Sequence, residues 1–126
     1  MNGAVSHAAR VLLAGIRLAN GTLSLVAPAS FARRLDVDPE ESPASLYGFR
    51  LFGARTVLIG AQLLGRDSEA RRRAVRAAPF VHAADTLAAL AAGATGQLPA
   101  SGARKAALVS GVNTMLALLA RSGTRP

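Results

Sequence analysis

A chain of 126 residues has room for one domain, and without cysteine it can hold no disulfide, thiolate metal site or redox pair. Apolar residues make up 51%, charged residues 17% and aromatics 4%, so Ala, Leu and Val carry an apolar mass poor in the bulky side chains of a soluble core. Fifteen Lys and Arg against seven Asp and Glu give a net +8, but Phe31, Tyr47, Phe49, Phe52 and Phe80 do not interleave with the basic run, which argues against nucleic acid as a partner.

Met1 to Arg10 does not read as a signal peptide, because no basic residue precedes His7 and Ala27-Pro28-Ala29 is a poor cleavage site. The first predicted helix runs from about Ala8 to Ala27 and stops at Pro28. After a loop holding Pro39 and Pro43, a second runs from about Leu46 to Gly65. A third spans roughly Ala74 to Gly93 and a fourth Arg104 to Arg121, with Ser-Gly pairs at 101–102 and 122–123 as further limits. Each is about 18–20 residues, near the ~20 that cross a ~30 Å hydrocarbon core at about 1.5 Å per residue. No useful length alternates with period two, so strands are not expected. The expected fold is therefore all-α: one domain over residues 1–126, a four-helix up-down bundle in the membrane, although mean hydropathy is only +0.30.

Loop charges test that expectation independently. With four crossings, the N-terminus, the second loop and the C-terminus share a side carrying Arg10, Arg66, Arg71, Arg72, Arg73, Arg76, Arg121 and Arg125. The other side has Arg33, Arg34, Arg104 and Lys105. The positive-inside rule then puts both termini in the cytoplasm, a multi-pass protein of the cell membrane. Small residues four apart, as in Gly15/Ala19, Ala84/Ala88/Ala92 and Ala103/Ala107/Gly111, would let helix backbones approach in lipid.

The spans are not cleanly apolar. Arg17 and Asn20 interrupt the first, Arg50, Arg55 and Gln62 the second, His82, Asp85 and Thr86 the third, and Asn113 the fourth. Arg17, Arg55, the His82/Asp85 pair and Asn113 fall within about two residues, roughly 3 Å, of the span midpoints, so every helix adds a polar group to one layer. A charge at mid-bilayer is costly and turns inward to find a partner. Asp85 is the only acid in any span, and Arg55 or Arg17 is its natural counter-charge. Two readings of the layer stand side by side. It is either a latch that fixes helix register or a polar chamber with His82 and Asp85 as acid/base groups. In the chamber Arg17 and Arg55 would be electrostatic clamps, Asn20 and Asn113 orienting groups, and Arg50 a headgroup or substrate contact. His82 and Asp85 lack further ligands for a metal, and no cofactor motif is present.

The second helix also carries a recognisable run. Tyr47-Gly48-Phe49-Arg50-Leu51-Phe52-Gly53-Ala54-Arg55, followed by Gly60, resembles the R-x-x-G-x-R motif of small four-helix integral membrane proteins of unknown function from actinobacteria and fungi. Members of those families tend to carry an acid in the third helix, which Asp85 would match. The resemblance implies a four-helix membrane fold and singles out Arg50, Arg55 and Asp85; it implies no activity. The expected partners are membrane lipid and a lipophilic small molecule, transformed by isomerisation, cyclisation or epoxide opening, with room for a homo-oligomer. A non-catalytic accessory subunit and a soluble Ala-rich bundle are the alternatives.

Overall fold

Prolines and one aspartate set where the helices begin. The computed structural model describes residues 3–123, which form α1 (Gly3–Val26), α2 (Pro28–Arg34), α3 (Pro43–Leu64), α4 (Ser68–Ala94) and α5 (Ala100–Ser122). Arg125, counted above with the basic residues near the termini, lies outside them. The residue before a proline is pushed out of helical geometry, and Ala27, at φ −130° and ψ 64°, breaks the chain there. Pro28 and Pro43 then open α2 and α3, where a missing N–H costs nothing. Asp67 caps α4 by accepting from the backbone N–H groups of Glu69 (3.0 Å) and Ala70 (3.2 Å).

The all-α expectation holds, with two corrections to the elements. The stretch expected as loop before Leu46 contains the additional helix α2, and the Asp67 cap starts α4 at Ser68 rather than Ala74. Pro79 lies inside α4 and is buried there.

α1 packs most extensively on α3, and α4 on α5; α1 also lies along α5, while the α3–α4 seam is looser. The α1–α3 seam is antiparallel and close because it is built on glycine. A Cβ on Gly53 would stand 2.5 Å from the Leu25 backbone N and 2.7 Å from the Gly21 carbonyl O. One on Gly60 would meet Leu18 Cγ at 2.8 Å. The row expected at Gly15 and Ala19 is not this seam, because both residues are exposed. Ala84 and Ala88 are exposed as well, whereas Ala103 is buried against Gly93.

Burial divides the bundle into three levels. Near the termini, Ala9, Leu13, Ala14, Leu63, Val75, Ala78, Ala117 and Ala120 form an apolar cluster. Halfway along, Arg17, Thr56, His82 and Asn113 are buried together with the half-buried Asp85. Beyond them, toward α2, the helices enclose a cavity.

Large apolar side chains stand on the outside of the long helices. Leu58, Leu87, Leu108 and Met115, on three different helices, are each more than 60% exposed, whereas Arg17 is 2% exposed. Further exposed Leu, Val and Phe side chains occur on all four long helices. Soluble monomers rarely expose contiguous apolar patches beyond a few hundred Å². By length and composition, α1 is the one helix among the described residues long and apolar enough to cross a membrane.

Candidate functional site

The polar layer is organised around one carboxylate. Asp85 on α4 receives Arg17 of α1 on Oδ2 at 3.4 Å and Arg55 of α3 on Oδ1 at 3.1 Å. Both counter-charges named from the sequence therefore reach it, and the triad ties three helices together. The two arginines differ in setting: the Arg17 side chain is 3% exposed and that of Arg55 48%. Arg55 also leans over the Phe52 ring, 5.8 Å from guanidinium carbon to ring centroid.

Above the triad opens a chamber of about 630 Å³. Its floor is Arg17, Asn20, Thr56, Asp85 and Asn113. One wall is aromatic: Phe31 meets Phe49 edge-on at 5.1 Å and Phe52 at 5.7 Å. Small side chains make up much of the remaining lining, with Ala88, Ala89 and Ala92 from α4 and Ala106 and Val109 from α5. The space exists because alanines stand where larger side chains would fill it. At the rim, Arg34 and Lys105 supply positive charge, and Lys105 Nζ binds Asp36 at 3.0 Å. The Ser101 hydroxyl and Lys105 together hold the Asp36 carboxyl below the usual range. Asp36 sits at φ 60°, a left-handed conformation that Asp tolerates better than most residues.

The floor is under-satisfied. Arg17 Nε and Nη2, the Thr56 hydroxyl and Asn113 Oδ1 are buried with no hydrogen-bond partner among the described residues. Leaving a buried polar group unpaired costs about 1–3 kcal/mol. These three donor atoms and one acceptor are buried just behind the chamber floor, and a ligand meets them once the floor side chains turn toward it. Such a set fits a carbonyl, carboxylate or phosphate-like oxygen against Arg17 and Thr56, and a hydroxyl against Asn113. Among the described residues no group of three His, Cys, Asp or Glu side chains gathers for a metal.

The seven residues singled out from the sequence separate into three groups. Arg17, Asn20, Asp85 and Asn113 line the chamber. Arg55 does not line it and is linked to it through its ion pair with Asp85. His82 and Arg50 do not line it. His82 is fully buried, neither ring nitrogen has a partner among the described residues, and its carbonyl accepts from Thr86 Oγ1 at 2.9 Å. Arg50 reaches the Leu25 carbonyl near the end of α1 at 3.5 Å, one residue pair from the Gly53 contact.

Thr56, Phe31, Phe49 and Phe52 belong to the site without having been singled out as site residues. Thr56 follows Arg55 directly, and a hydroxyl at mid-span was its only signal. Phe31 arrives on α2, whose Pro28 start is the local cue. No protein-family model, curated protein or solved structure matches the chain, so the functional reading rests on the arrangement of these residues.

Proposed function

We propose that the protein is a multi-pass membrane protein in which α1, α3, α4 and α5 cross the bilayer, both termini face the cytoplasm, and the chamber binds a lipophilic small molecule by its polar end. The observation that carries this reading is the unpaired set of Arg17, Thr56 and Asn113 atoms buried just behind the floor of a largely apolar chamber. A ligand of roughly drug size suits a pocket between 300 and about 1,000 Å³. Its chain would lie against Phe31, Phe49 and the alanines, and its oxygen would take the Arg17 and Thr56 donors. The chamber points toward the side opposite the termini.

Binding is favoured over proton transfer at Asp85. Each carboxylate oxygen already holds one guanidinium, so a proton-transfer role would require an arginine to withdraw. Of the two groups assigned acid/base roles from the sequence, Asp85 is an electrostatic partner of Arg17 in this reading, and His82 a core residue beside the layer. The accessory-subunit reading draws on the same triad, because an ion cluster joining three helices fixes register whether or not a ligand enters.

Filling the chamber separates these readings. Ala88→Leu with Ala92→Leu places two larger side chains in the small-residue wall. Photo-crosslinking by a diazirine-bearing long-chain ketone, mapped by peptide mass spectrometry, should label α5 residues near Val109 in the native chain. The double variant should lose at least tenfold of that labelling with its melting temperature held. Equal labelling in both proteins would exclude the chamber as the binding site.

A further inference from the structure

The opposite end of the bundle carries a second concavity that the chamber does not involve. A cleft of about 580 Å³ lies between the start of α1, the first turns of α4 and the end of α5. His7, Arg10, Arg71, Arg72 and Arg76 line it, and no carboxylate among the described residues does. We propose that this cleft is a phosphate site, taking either the headgroup of an acidic phospholipid or a soluble phosphate ester.

Four guanidiniums around one depression repel one another unless an anion joins them. Two are held in place from behind. Arg10 donates to the Leu63 carbonyl and Arg71 to the Gly65 carbonyl at 2.8 Å, so both are anchored at the end of α3. Arg10 Nη2 also contacts His7 Nδ1 at 3.1 Å. A fixed guanidinium loses less freedom on meeting a phosphate and offers a bidentate fork.

Capping of the α3 carbonyls would by itself explain Arg10 and Arg71. It does not explain Arg72 and Arg76. These lie four apart, one turn along the same face of α4, and neither forms an ion pair among the described residues. Their neighbour Arg73 points elsewhere and pairs with Glu69. The basic run of α4 is thus divided: Arg73 is neutralised by its own helix, and Arg71, Arg72 and Arg76 turn to the cleft. If α1 and α4 span the bilayer, this cleft lies at headgroup level on the cytoplasmic side, where basic pockets between helices meet acidic lipid. The soluble-ester alternative does not need a membrane.

Full-length protein in detergent is titrated with dioleoylphosphatidylglycerol and dioleoylphosphatidylcholine by native mass spectrometry, and with glycerol phosphate by calorimetry. Arg72→Gln with Arg76→Gln should weaken the anionic ligand about 25-fold, the product of roughly fivefold per surface guanidinium. Arg66→Gln with Arg73→Gln removes the same charge outside the cleft and should cost less than threefold. All four positions are exposed, and unchanged thermal melts will show that folding is intact. Phosphatidylglycerol binding without glycerol phosphate binding identifies a lipid headgroup, and comparable binding of both identifies a soluble phosphate; either supports the site. The proposal is overturned if neither anion binds above the phosphatidylcholine level, if R72Q/R76Q binds undiminished, or if the outside pair is equally damaging.

Discussion

Asp85→Asn is expected to destabilise the fold by about 3–5 kcal/mol, the usual cost of stranding a buried charge. Arg17 is the reason. Its side chain is 3% exposed, Asp85 is the one carboxylate it pairs with among the described residues, and the neighbouring Arg55 would then repel it. An asparagine still offers an oxygen to hydrogen-bond but no charge. Arg55→Gln removes the other arm of the triad and should cost no more than about 1 kcal/mol, because its side chain is half exposed. Removing both ends of the buried pair, as in Arg17→Met with Asp85→Leu, should recover most of the loss, since apolar residues of similar volume replace such pairs well. Reversible thermal unfolding in detergent measures all three. Should Asp85→Asn melt like the native protein, the triad does not hold the helices together.

Gly53→Ala is expected to be nearly as severe, at about 3 kcal/mol, the upper end for overpacking. The added methyl would meet backbone rather than a side chain that can swing away: Leu25 N at 2.5 Å, Gly21 O at 2.7 Å and Leu25 Cα at 2.9 Å. α1 and α3 would have to separate, and the floor residues Arg17 and Thr56 would separate with them. Gly15→Ala supplies the contrast, because nothing lies within 4 Å of the new Cβ and the residue is exposed on the same α1. There the higher helix propensity of Ala should stabilise by up to about 1 kcal/mol. The same unfolding measurement compares the two; equal melting temperatures would mean that the α1–α3 approach is looser than described.

These two predictions give physical content to the Arg50-Leu51-Phe52-Gly53-Ala54-Arg55 run. Gly53 lets α1 approach, Arg50 bonds the Leu25 carbonyl beside that contact, and Arg55 engages Asp85. Three residues of one short motif thus face α1 and α4, which accounts for their spacing without any reaction.

The helices were legible because long Ala/Leu runs are punctuated by Pro28, Pro43 and Gly65. The Asp85 pairing was legible for a simpler reason: a lone acid among several cations has few choices. Other features had no such signal. α2 is seven residues with two arginines in its last turn, too short for periodicity to register. His82 and Asp85 share a face only approximately, since a step of three leaves them about 60° apart around the axis. That difference buries His82 in the core and lets Asp85 reach the chamber. The chamber itself is the gap between alanines on two helices and phenylalanines on two others. No single helix pattern contains it.

The proposed lipid surroundings would account for an Ala core with a charged centre, and site-directed spin labelling tests that proposal directly. The chain has no cysteine, so single cysteines at Leu58, Leu87, Leu108 and Met115 can be labelled against a clean background. In liposomes of synthetic phospholipid, all four nitroxides should be readily relaxed by oxygen and shielded from a water-soluble nickel chelate. Ready relaxation of the four labels by the nickel chelate would place that surface in water and contradict the account.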